Sequence, residues 1–210
     1  MISVLMYQKE LYMSEYTNLL TDFPGRVLEV LNFCELKLGK DKEVTYHLMA
    51  LSSGFVIPHE RLNPDHPLGD AFRYENLDIK VKKFLNKEIS KGVFKETCNF
   101  SLWRYTKITR DQLIDHVESW NLEKSDSPTK IATRKILSCI RNSLAHGNVF
   151  VTGDPIENVV FASKSDREGT EFWVLMIPVT ELRSFTKTLL EFFRDNHQLS
   201  VQVIRSLQAA

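Results

Sequence analysis

Apolar residues recur at threes and fours through most of this chain, and that period constrains it to helices that each bury one face. Phe23, Val27, Val30, Leu31, Cys34 and Leu38 make the first stripe, with Asp22 and Pro24 at its start and Gly39 at its stop. A weaker pattern over residues 7–20 reads as a preceding helix. Val44, Leu48, Leu51 and Phe55 make a second stripe, and the short connection predicts antiparallel packing on the first. Pro58, Pro64, Pro67 and Gly69 make residues 56–75 a loop by backbone chemistry. A third helix is predicted over 76–91, with Leu77, Val81, Phe84, Leu85 and Ile89 inward and Gly92 ending it. Residues 93–108 are rich in Phe, Trp and Tyr without a steady period, which leaves loop and strand both open.

Thr109 is placed to cap a helix carrying Leu113, Ile114, Val117 and Trp120. Ser125-Asp126-Ser127-Pro128 predicts the next helix start, with Pro128 at the first helical position. That helix carries Ile136, Ile140 and Leu144 four apart and ends near His146-Gly147. The period then changes. Residues 156–162 and 172–179 are β-rich runs separated by a polar segment, a hairpin whose second strand Pro178 closes. Thr180 is placed to cap a last helix with Leu182, Phe185, Leu189, Phe192 and Phe193 inward. The fold expected is mainly α with one small β-hairpin, a single domain over residues 1–210, long enough to bury roughly 70% of its unfolded surface.

Composition narrows function mostly by exclusion. Lys+Arg and Asp+Glu both total 27, which excludes a protein that coats nucleic acid through overall basicity. Cys34, Cys98 and Cys139 lie far apart with no C-x-x-C, so a disulfide framework and a zinc ribbon are both excluded. Such sparse thiols suit a reducing, cytoplasmic setting. The first residues lack a basic signal-peptide region, and no apolar run approaches the ~20 residues of a membrane span, so no membrane role is expected. There is no Walker A loop, G-x-G-x-x-G or G-x-S-x-G. His59, Glu60, Asp65 and His66 match no helix-borne metal spacing and read as a surface loop, so neither metal nor cofactor is expected. His47 and His116 read as structural or exposed, Glu60-Arg61 as a tie between loop and helices, and Cys139 as buried packing.

Chemistry concentrates in Cys139-Ile140-Arg141-Asn142-Ser143-Leu144-Ala145-His146-Gly147, where Arg, Asn and His gather at the end of an apolar helix. At about 100° per residue, Asn142 and His146 share a face, while Arg141 lies about 140° from His146. One helix therefore cannot aim both groups at one atom. Two copies crossing about a two-fold axis could, with a groove lined by two Arg and two His. The competing account is capping: a His near a helix C-terminus meets the dipole favourably, and Gly147 is an ordinary terminator.

The string Arg141-Asn142-Ser143-Leu144-Ala145-His146 resembles the R-x4-6-H signature of the HEPN superfamily (higher eukaryotes and prokaryotes nucleotide-binding), including the polar residue after Arg that ribonuclease members carry. The segment from Glu43 through Ile57-Pro58-His59-Glu60-Arg61-Leu62, a helix running into a Pro-x-Glu-Arg turn, is similar to small stand-alone bacterial and plasmid-borne HEPN proteins. The resemblance implies a HEPN-like antiparallel helical bundle, to which the hairpin after the motif helix is an addition. It implies a metal-independent endoribonuclease at a composite homodimer site, of the toxin or defence type, with a protein antitoxin as a possible partner. The alternative within the superfamily is a non-catalytic module that binds nucleotides or RNA or acts in protein interaction. Under the first reading His146 is the acid/base, Arg141 the phosphate clamp, and Asn142 orients His146 or substrate.

A second feature is local charge. Residues 80–110 hold nine Lys/Arg against Glu88 and Glu96. Lys80, Lys83, Lys87 and Lys91 fall on one stripe of the predicted third helix, and Arg104, Lys107 and Arg110 interleave with Phe100, Trp103 and Tyr105. Cations following phosphates beside aromatic faces fit a single-stranded RNA track. The competing account is a solvated helix face above core aromatics.

Overall fold

The computed structural model describes residues 19–57, 79–165 and 168–196. Helix α1 (Leu19–Leu38) starts a turn earlier than Asp22-Pro24 predicts and carries Pro24 inside. Its buried line runs through Leu28 and Leu31, leaving Val30 62% exposed and Leu38 half exposed, so the predicted stripe is rotated outward at its ends. A 3-10 turn at Gly39–Lys42 reverses the chain into α2 (Glu43–Leu51), which continues through a π-turn at Ser52–Val56. Leu51 and Phe55 are fully buried, as the second stripe predicts. The predicted helix at 7–20 falls mostly outside the described residues, and the loop at 56–75 almost wholly so.

Helix α3 (Ile79–Asn86) is shorter than predicted. The chain stops being helical at Lys87 because a distant segment takes over its hydrogen bonds. Ile89 N–H donates to Ile131 O, Thr133 N–H donates to Lys87 O, and Glu88 and Ala132 form an isolated antiparallel bridge. The same pairing corrects the motif helix. Pro128 opens a 3-10 turn (Pro128–Lys130), residues 131–132 run extended, and α5 (Thr133–His146) begins with Ala132 as its cap. Before it, β1 (Arg104–Thr109) resolves the ambiguous aromatic stretch as a strand, and α4 (Arg110–Ile114) follows with Thr109 and Gln112 forming a full capping box.

After α5 come β2 (Val149–Thr152), β3 (Asn158–Lys164), β4 (Glu171–Pro178) and α6 (Val179–Asp195). The predicted hairpin is β3–β4, but it is the middle of a four-stranded antiparallel sheet of order β1-β4-β3-β2. Register runs Arg104↔Met176 to Thr109↔Glu171 on one side and Asn158↔Pro178 to Lys164↔Phe172 on the other. Helix α6 is capped by Pro178 rather than Thr180, which lies exposed inside it.

The sheet divides two cores. On one face α5 and α6 pack with Phe161, Leu175, Ile177, Leu182, Phe185, Leu189 and Phe193. On the other, Ile108, Val160, Phe172, Val174 and Met176 close under Trp120 and Leu122. Helix α1 lies on α6, where Leu28, Leu31, Tyr46, Ala50 and Leu190 form a third cluster. The described chain is thus mainly helical with a small sheet, and within it no helix is long and apolar enough to cross a membrane.

Candidate nucleic-acid site on helix α5

Helix α5 presents two unlike faces because of how its residues alternate. Ile136, Leu137, Cys139, Ile140 and Ser143 are buried. The Cys139 thiol lies 3.8 Å from Phe161 O and 3.7 Å from Trp173 O, which fixes this side against the sheet. Burial pushes that thiol up to about 11, which keeps it protonated at neutral pH. Ser143 returns its hydroxyl proton to Cys139 O at 2.7 Å and so satisfies itself inside the core.

Apart from buried Thr133 and from Leu144, which packs against the core, the remaining residues fall within an arc of about 140° at about 100° per residue. Arg134 and Arg141 form one border, Ser138 and Ala145 the middle, and Lys135, Asn142 and His146 the other border. Arg141 and Asn142 are half-buried and His146 is exposed. The helix ends in a full Schellman motif: Gly147 N–H donates to Leu144 O at 3.4 Å and Asn148 N–H to Ser143 O at 2.9 Å. Gly147 has φ 70°, a backbone conformation in which a side chain is strained, and it fixes His146 at the last helical position. No acidic residue occurs between Asp126 and Asp154. Arg141 and His146 stand at opposite borders of the arc, about 7 Å apart along the axis.

The family model for HEPN pEK499 p136 matches residues 13–200. The chain belongs to this HEPN family. No curated protein and no solved structure matches it.

Within this HEPN chain the predicted basic track divides. Lys80 lies on α3, and Lys83 and Lys87 are exposed. Because α3 ends at Asn86, Lys87 and Lys91 do not continue one helical stripe, and Lys91 pairs with Glu88 at 2.8 Å. Arg104 donates to the carbonyls of Ser101 (2.7 Å), Trp103 (2.8 Å) and Glu123 (3.2 Å), clamping the loop before β1. Lys107 pairs with Glu171 at 2.6 Å and sits 4.7 Å above the Trp173 ring. The aromatics expected to stack bases do not line a surface: Phe100 and Trp103, in and just after the 3-10 turn before β1, and Tyr105, on β1, are all buried in the core. Half-buried Trp173 is stacked on Tyr105 at 5.0 Å and approached by Lys135 at 5.6 Å.

Sequence reasoning did not single out Arg134, Lys135 and Ser138. The readable signal was the acid-free run 127–153, which holds Lys130, Arg134, Lys135 and Arg141. The loop residues His59, Glu60, Arg61, Asp65 and His66 lie outside the described residues. Among the described residues no group of three His, Cys, Asp or Glu side chains is placed to share a metal ion.

Proposed function

We propose that the chain is a metal-independent endoribonuclease whose site forms between two copies across their α5 helices. The observation that carries this reading is the face of α5 turned away from the sheet, with half-buried Arg141 on one border and exposed His146 on the other. A two-fold axis running along the helix through the middle of the arc lays each copy's arginine border against the other's His146 border. Ser138 and Ala145 are small enough to let the helices approach. HEPN membership supports the same arrangement.

The chemistry follows from the residue types. The 2′-oxygen attacks phosphorus and loses its proton to a base, while the bond from phosphorus to the 5′-oxygen breaks and that oxygen gains a proton. An imidazole can both take up and release a proton at physiological pH, which lets His146 serve as proton acceptor or donor. Arg141 offers a planar fork to the non-bridging oxygens and stays charged throughout. Asn142, one turn before His146 on the same border, orients the imidazole or the substrate. The products are a 2′,3′-cyclic phosphate and a 5′-hydroxyl. Exposed Lys83 and Lys87, with Lys80 on the same helix α3 as Lys83, supply the outer RNA contacts, while Lys91, Arg104 and Lys107 are engaged by Glu88, by backbone carbonyls and by Glu171.

Purified chain should cleave RNA with chelator present, and folded His146→Ala should lose at least about 100-fold of the rate, the usual weight of a general acid or base. Full cleavage by that variant removes His146 from the site. In a cytoplasmic toxin or defence role, expression should be toxic to its host, relieved by Arg141→Ala or by a neutralising partner. A chain that binds RNA or nucleotide but never cuts it is the non-catalytic module.

A further inference from the structure

Helix α1 is apolar on two sides, and the fold uses only one of them. Leu28 and Leu31 are buried with Tyr46, Ala50 and Leu190. Val30, Phe33 and Leu36 point the other way and are 62%, 60% and 84% exposed. They follow one another at spacings of three, so they share one side of the helix over about two turns. Met49 of α2 extends the patch and is 63% exposed. Single apolar side chains are ordinary on a surface, but a contiguous patch marks a contact. Beside Val30 an apolar groove of about 250 Å³ opens between α1 and α2, with Phe23, Val27, Leu31 and Met49 among its walls.

Charge supplies a register. Glu29 and Lys37 flank this seam, both are exposed, and among the described residues neither has an ion-pair partner. They stand four residues before and four after Phe33, about 12 Å apart along the helix, too far to meet each other. A two-fold axis through Phe33, at right angles to α1, exchanges positions equally far on either side of it. The partner's Lys37 then comes opposite Glu29, the partner's Leu36 opposite Val30, and the partner's Phe33 opposite Phe33. The match holds across the helix as well as along it. At about 100° per residue, the partner's Leu36 falls on the same side as Val30, which is the side of the groove and Met49. Only with the axis at Phe33 does Glu29 face Lys37. Ridge, groove and both charges thus sit on one chain, which is what an isologous contact requires.

We propose that α1 is an interface that takes α1 of a second copy of this chain, antiparallel, with Phe33 on the axis and each Leu36 seated on the other copy's Val30 and Met49. The interface shares no residue with α5, so it goes beyond the nuclease reading and stands whether or not α5 cuts RNA. If α5 also joins two copies, one chain takes part in both contacts and the assembly is larger than a dimer.

Mass in solution, followed by light scattering or sedimentation over a dilution series, is the readout. Leu36→Glu alters a side chain that touches little of its own subunit, so it should fold as the parent does. It should raise the dissociation constant at least about 10-fold and at least halve the mass at concentrations where the parent is still assembled. Glu29→Lys and Lys37→Glu should each weaken association, because a symmetric contact repeats the like-charge clash. The doubly reversed chain should recover it, and so should an equimolar mixture of the two single variants, since both restore opposite charges across the seam. Assembly untouched by Leu36→Glu overturns the α1 interface and leaves the α5 reading intact. Single reversals that weaken association without recovery in the doubly reversed chain overturn the antiparallel register, and the proposal with it. A parent that is monomeric at every concentration overturns it as well, and a shifted thermal midpoint in Leu36→Glu would then mean that another part of the same chain covers the face. A parent that assembles through α1 yet never cuts RNA keeps this interface and removes the nuclease.

Discussion

His47 shows how a single side chain can set a pH limit on this fold. Its ring is fully buried, stacked obliquely against Tyr46 at 4.9 Å, with neither nitrogen hydrogen-bonded. Glu35 Oε1 lies 3.7 Å and Glu43 Oε1 3.9 Å from Nε2, yet Glu35 is already held by Arg183 at 3.0 Å and Lys187 at 2.5 Å. Burial outweighs the Glu35 carboxylate and lowers the His47 pKa from 6.5 to about 4. A depressed pKa means that below 6.5 the unfolded chain takes up a proton that the folded chain refuses. Stability is therefore full above that point and drains away as pH falls toward 4, by at most about 3 kcal/mol. Glu35 acts in the same direction, because its basic neighbours lower its pKa against the opposing effect of burial. The thermal midpoint of His47→Leu should depend less steeply on pH across this window than that of the parent. An identical slope in the two proteins would remove His47 as the cause.

At the level of elements, two glycines mark where backbone geometry and packing decide the outcome. Gly147 has φ 70° with nothing near the position of a Cβ, so Gly147→Ala tests conformation alone and should cost about 1 kcal/mol in a denaturant titration. Gly54 is the opposite case. A Cβ there would collide with Leu190 Cδ2, itself fully buried, so Gly54→Ala must disturb the seat of the π-turn against α6 and should cost about 1–3 kcal/mol. A Gly54→Ala protein as stable as the parent would mean that Leu190 repacks freely. The end of α5 was legible in sequence because its signals are local: Ile136, Ile140 and Leu144 set the face, and Gly147 supplies the cap. The start of α5 and the end of α3 were not, because Lys87, Ile89, Ile131 and Thr133 settle both by pairing across the fold. Strand β1 was ambiguous for a similar reason, since its partner β4 lies far along the chain and its aromatics serve the core. The motif residues Arg141, Asn142 and His146 were singled out by their gathering at a helix end and by the resemblance of the string to R-x4-6-H, whereas the burial of Arg134 Nε, Ser138 Oγ and Arg141 Nε is set only by the fold.

For the molecule as a whole, the formal charge is +0, so any RNA affinity must come from where the cations sit. Reversing Lys83 and Lys87 to Glu should weaken RNA binding and flatten its salt dependence by about 1.4 or more, two single-strand contacts removed and repulsion added. An unchanged slope would return these lysines to a solvated helix face. The deeper question is whether one chain suffices. On α5 the two groups proposed to act, Arg141 and His146, diverge by about 140°, so under that proposal a monomer should be inactive however well it folds. Arg141→Ala and His146→Ala should each abolish cleavage alone. Mixed and allowed to exchange subunits, they form dimers of which about half pair one variant with the other. Each such dimer keeps one arginine, from the subunit lacking His146, and one histidine, from the subunit lacking Arg141. If the site spans the two copies, the mixture regains a substantial fraction of parental activity, and dilution below the dimer dissociation constant removes it again. If each subunit used its own pair, no mixture of the two variants could hold a complete set, and activity would stay at zero at every ratio.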